Sequence, residues 1–153
     1  MHFTALIAAS VYAACRNSGM TRNLKDLEEA ANIKRKDIAR CYRMIVKELD
    51  LKMNVVDPIN CVSRISSLVN TQEATKRYAI RVLEEARKKD EVAGKDPMGL
   101  AAASLYLACI KLGENITQRI IADAAGVTEV TIRNRFKGLK DLGLATKIIR
   151  VEA

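Results

Sequence analysis

The chain has 153 residues, 26 of them basic and 18 acidic, for a net charge of +8 and a pI near 9.5. Hydrophobic residues make up 49% and charged residues 29%, enough to bury the core of one domain or two small ones and too apolar for a disordered chain. The surplus of positive charge favours an anionic partner, with nucleic acid ahead of a membrane surface.

The first predicted element is FTALIAASVYAAC, residues 3–15, a helix with no charge on any face. A helix apolar all round is a buried one. After Gly19 comes a helical hairpin. Its turn position is Asn32, a residue that tolerates positive φ, and Lys34, Arg35 and Lys36 open its second helix. Cationic side chains at a helix amino end oppose its dipole, so they point to a binding role toward phosphates or carboxylates, or else to a solvated charge cluster.

Two further helices follow. Asp57-Pro58 opens one through residue 69, with proline suited to the first turn. Thr71 is expected to cap the next, whose Ala74, Tyr78, Val82 and Ala86 share one face. The segment EVAGKDP, residues 91–97, reads as a loop. GLAAASLYLAC is then a second charge-free helix. Thr117 is placed to cap a short helix through Ala125, and Thr128 to cap the last long one.

The chain repeats itself at an offset of 94 residues. AASVYAAC (8–15) falls on AASLYLAC (102–109), Gly19 on Gly113, Ile38 on Ile132 and Tyr42 on Phe136, with no gap from Leu6/Leu100 to Ile45/Leu139. A duplicated helical unit follows. The second copy has five helices and the first only the last three, so the helix over residues 3–15 is expected to carry an uncovered apolar face. The boundary falls between residues 56 and 57.

From Gln118 the pattern Q-x-x-I-A-x-x-A-G-V-x-x-x-T-I meets the needs of a helix-turn-helix. Ala122 sits where crossing helices leave no room, and Gly126 where the turn wants positive φ. Arg135 stands where many such motifs bury an aliphatic residue, and Phe136 is expected to take over that packing. With Ile132, Phe136 and Leu139 inward, Glu129, Val130, Arg133, Asn134 and Lys137 face out. Arg133 can donate two hydrogen bonds to a guanine and Val130 can touch a thymine methyl. Arg135, Lys137 and Lys140 suit phosphates.

Cys15, Cys41, Cys61 and Cys109 are scattered, and His2 is the single histidine. This spacing gives neither a zinc site nor a Cys–His pair, and suits reduced core thiols. No nucleophile–base pair, carboxylate pair or phosphate loop marks an enzyme, and no cofactor is expected. No signal peptide is visible, and the longest uncharged run, residues 97–110, is too short for a bilayer. A cytoplasmic location is expected.

GKDPMGLAAASLYLACIKLGENITQRIIADAAGVTEVTIRNRFKGL resembles the second cyclin-like repeat of the archaeal transcription factor B family, relatives of TFIIB. AASVYAACRNSGMTRNLKDLEEAANIKRKDIARCYRMIVKELDL resembles the second half of its first repeat. The resemblance covers nearly the whole chain. It implies an all-α fold of two cyclin-like repeats, residues 1–56 and 57–153, the first without its first two helices and the second a five-helix bundle ending in the helix-turn-helix. It further implies a general initiation factor, working in the archaeal nucleoid, that binds the complex of TATA-box promoter DNA with TBP. Val130 and Arg133 match the positions that read a purine-rich B recognition element, with Gln118, Arg119 and Thr131 weaker candidates beside them. Arg22, Arg35, Lys36 and Arg40 match the region that engages TBP. The family's zinc ribbon and cleft-entering linker have no counterpart in these residues, so RNA polymerase is an expected partner only where such a region is supplied. A monomer is expected. Two other readings stay open: a helix-turn-helix regulator dimerising on a palindrome, which an internal duplication disfavours, and a cyclin-like protein-binding module without DNA readout.

Overall fold

The computed structural model describes residues 3–143; the expected role of His2 and the stretch 144–153 lie outside them. The described residues form eight α-helices and no strand. The chain divides into two compact units, Met1–Val56 and Asp57–Ala153.

The first unit holds α1 (Phe3–Asn17), α2 (Leu24–Ala31) and α3 (Arg35–Glu48). Asn23 and Asp26 start α2 with a reciprocal capping box: the Asp26 N–H donates to Asn23 Oδ1 at 2.8 Å and the Asn23 N–H to Asp26 Oδ2 at 2.9 Å. Asn32 ends it at φ 53°, the left-handed conformation the hairpin turn requires. Ala5, Ala8, Ala9, Ile38 and Cys41 form the buried core, with Leu24, Leu27 and Ile45 packed around it.

Helix α1 is open on its other side. Phe3, Ile7 and Val11, spaced four apart, are 75%, 50% and 48% exposed. The described residues of their unit form three helices, and none of those residues covers that stripe.

The second unit holds α4 (Pro58–Val69), α5 (Glu73–Lys88), α6 (Pro97–Leu112), α7 (Gln118–Ala125) and α8 (Glu129–Asp141). Helix α6 is central, packed against the other four. Ala101 and Leu105, the repeat counterparts of Ile7 and Val11, are completely buried. One sequence pattern thus meets two environments, set by the presence of α4 and α5.

Local chemistry starts these helices. The Asp57 carboxylate accepts from the Ile59 N–H at 2.9 Å and Pro58 takes the first turn of α4. Asp96 and Pro97 repeat the device on α6. Helix α5 departs from expectation. Its N-cap is Gln72, not Thr71, whose hydroxyl instead pairs with that of Ser66. The acceptor comes from 42 residues away: Glu114 Oε1 takes the Gln72 N–H at 2.8 Å and also the hydroxyl of the fully buried Thr75. A carboxylate at that end also suits the helix dipole.

The repeat extends into packing. Tyr12 meets Tyr42 edge-on with ring centroids 4.9 Å apart, and the counterparts Tyr106 and Phe136 do the same at 5.6 Å.

Candidate nucleic-acid interface

Helices α7 and α8 form the hairpin. Thr117 caps α7, accepting the Ile120 N–H at 3.3 Å. At its end Gly126 takes φ 67°, and the Val127 N–H returns to the Ala122 carbonyl at 3.1 Å. Together these satisfy the last carbonyls of α7 and turn the chain sharply. The Thr128 hydroxyl then accepts the Thr131 N–H at 3.2 Å and starts α8. Ile121, Ala122, Ala125 and Ile132 are buried where α7 and α8 pack on each other and on α6, which fixes the hairpin on its unit.

The face left outward is the one the sequence implies. Glu129, Val130, Arg133, Asn134, Lys137 and Lys140 are exposed, with Val130 at 54%. Arg133 makes no hydrogen bond or ion pair among the described residues. No described residue therefore occupies its guanidinium, which is exposed to an external acceptor. Val130 lies nearly one turn earlier on the same side, which suits contact with an adjacent base pair.

The remaining candidates divide. Arg119 is exposed and Gln118 half-buried at the start of α7. Thr131 is half-buried, and its hydroxyl lies 3.0 Å from that of Thr128, so its polar atom is already engaged. Arg135 differs from its neighbours: it is half-buried, and its Nε is enclosed with no partner among the described residues. It lines a small hollow with Asn134, Leu100, Leu139 and Leu142, beside the Lys95–Glu91 ion pair at 2.7 Å. Its stem thus does the packing an aliphatic residue would, alongside a half-buried Phe136. At the far end of α8, Lys89 Nζ donates to the Leu142 carbonyl at 2.6 Å. A cation there complements the helix dipole.

In the first unit Arg22, Arg35, Lys36 and Arg40 are all exposed, as are Lys34 and Arg43. The amino end of α3 is less adverse than its sequence suggests. The Glu28 carboxylate accepts the Arg35 N–H at 2.9 Å, and Asp37 adds a second acid in the first turn. Glu28 occupies the position of Ala122 in the other hairpin, so one exchange supplies a cap for α3. That cap escaped the sequence reading; an acid four residues before a left-handed asparagine was its available signal.

Among the described residues no group of His, Cys, Asp and Glu side chains could hold a metal ion. No helix of theirs is long and apolar enough to cross a membrane.

A duplicated helical unit whose second copy closes on an exposed, basic helix-turn-helix defines an all-α class with two cyclin-like repeats. Within that class, the chain matches the transcription factor TFIIB repeat over residues 2–48 and 51–142. It is 54% identical over 134 residues to transcription initiation factor IIB of Pyrodictium occultum, covering 88% of this chain and 43% of that protein. The proteins of the same name from Sulfurisphaera tokodaii and Caldivirga maquilingensis are 48% and 46% identical, over 88% and 94% of this chain. The chain belongs to the TFIIB repeat family. It spans less than half the length of these relatives.

Proposed function

We propose that this chain acts in transcription initiation as a promoter-binding core, joining the TBP–TATA complex and reading the element just upstream of it through α8. The relatives' shared name supports the initiation role. The observation that carries base readout is the free, exposed pair Val130 and Arg133 on the opening turns of a helix seated by the Gly126 turn. An α-helix fits the major groove, and side chains near its amino end reach base edges. Arg119, Lys137 and Lys140 contact phosphates, with Gln118, Asn134 and Arg135 at the margin of the interface.

The exposed cations Arg22, Arg35, Lys36 and Arg40 take the acidic surface of TBP and adjoining DNA. Such charge pairs steer and orient association more than they add affinity. No catalytic step or cofactor belongs to this role, and the chain works as a monomer on an asymmetric site. Polymerase recruitment is left to a region beyond these residues.

A gel-shift of the chain on a TATA promoter, with and without TBP and across salt concentrations, tests the reading. A further shift only when TBP is present is expected. Arg133→Ala should cost about 1–3 kcal/mol, concentrated at one base pair. An unchanged affinity would favour a protein-binding module, and a two-fold symmetric footprint would favour a dimeric regulator.

A further inference from the structure

The third residue of α6 is a glycine in ordinary helical geometry, Gly99. Glycine inside a helix costs stability relative to alanine, and no positive φ requires it there. What requires it is α8. A Cβ at Gly99 would lie 2.9 Å from Thr131 Cγ2, 3.2 Å from Asp96 Oδ2 and 3.8 Å from Arg135 Cγ. The first distance is closer than real carbon atoms approach.

Neither near neighbour can give way cheaply. Thr131 is β-branched and stiff about χ1, and its hydroxyl is held 3.0 Å from that of Thr128. Turning its methyl aside would break that contact at the start of α8. The Asp96 carboxylate is the cap of α6, accepting the Gly99 N–H at 2.8 Å. The missing side chain is therefore a notch into which the first turn of α8 seats, through Thr131, the residue after Val130 and two before Arg133.

The duplication supplies the comparison. The counterpart of Gly99 in the first unit is Ala5, buried in the contact of α1 with α3, and the counterpart of Thr131 is Asp37. The same helix pair thus accommodates a methyl group where no exposed valine–arginine reading pair follows. The notch is confined to the unit that carries that pair.

We propose that Gly99 is a positioning residue for base readout: it sets the depth and rotation of the first turn of α8, and so where Val130 and Arg133 reach. This rests on the function proposed above. The test is fluorescence anisotropy of the full chain with TBP on two promoter duplexes, one with the upstream element and one with a single base pair changed opposite Arg133. Wild type, Gly99→Ala, Thr131→Ser and the double variant are compared, with circular dichroism to confirm folding.

Gly99→Ala should lower the ratio of the two affinities by a factor of roughly five to ten, while the salt dependence set by the lysines is unchanged. Thr131→Ser keeps the hydroxyl and removes the obstructing methyl, so the double variant should return to within about twofold of Thr131→Ser alone. Should Gly99→Ala alone not fold, recovery of fold and ratio in the double variant supports the notch, and failure of both to fold overturns it. A wild-type chain blind to the base change removes the function and the notch together. A discriminating wild type matched by Gly99→Ala, or a loss that Thr131→Ser does not relieve, removes the notch alone.

Discussion

Arg133 and Lys137 stand about one turn apart on the exposed face of α8, yet under the proposed function their chemistry gives them different tasks. A guanidinium presents a planar fork that matches two acceptors on one guanine; an ammonium is a point charge that suits any phosphate. Lys137→Ala should therefore weaken binding nearly equally on every duplex and lower the salt slope by about one. Titrating the binding constant against salt for both variants checks the division, and base-selective loss at Lys137 would reverse it. The thiols give a second residue-scale test. Burial pushes Cys61 up to about 12 and Cys109 up to about 11, with Asp96 and Glu114 respectively adding to the effect. At pH 8 a pKa near 12 leaves about 10⁻⁴ of Cys61 as the reactive thiolate. Alkylation of the folded chain at pH 8 should label the half-buried Cys15 first, and Cys61 and Cys109 only in denaturant. Mass spectrometry of timed samples reads the order.

At the scale of elements, much depends on how far the capping partner lies along the chain. Asp57, Thr117 and Thr128 start their helices where the sequence places them because cap and capped N–H are two or three residues apart. Gly126 was legible for the same reason, since a hairpin turn is local chemistry. The start of α5 was not. Thr71 has the right chemistry and position, but its hydroxyl is committed to Ser66, and the cap arrives from Glu114 beyond the next helix. The Gly99 notch was equally hidden, since its reason is a threonine 32 residues downstream. Glu114→Ala would strand the Gln72 N–H and the buried Thr75 hydroxyl, and should destabilise the chain by about 1–3 kcal/mol. In a Thr75→Val background the cost should be smaller, because no buried hydroxyl is left unpaired. Denaturant melts of the four chains measure this coupling, and equal costs in both backgrounds would deny Glu114 its hold on Thr75.

For the whole molecule, the duplication sets up an experiment within one chain. Helices α1 and α6 share the pattern AASVYAAC and AASLYLAC, hence nearly the same intrinsic propensity. The sequence revealed both the repeat and the expected bare face of α1, because at an offset of 94 only the second copy is read with two further helices, the later α4 and α5, ahead of its central one. What separates the two helices is burial: Ala101 through Ala103, Leu105 and Leu107 to Cys109 are at most 1% exposed, whereas Ile7 and Val11 are about half exposed. Protection of a backbone amide follows the free energy of the opening that frees it, and that rises with the apolar surface an opening must expose. Amides in the middle of α1 should therefore exchange with deuterium well before their counterparts 94 residues on. Ile7→Ala should leave the exchange of α6 unchanged and speed that of α1 only slightly, since half of that side chain is already in water. Leu105→Ala, by contrast, should cost about 2–5 kcal/mol and speed exchange throughout α6. Hydrogen exchange with peptide-level mass spectrometry resolves the two helices. Equal protection in both would mean that packing by α4 and α5 is not what stabilises the central helix, and that the two copies owe their stability to the pattern they share.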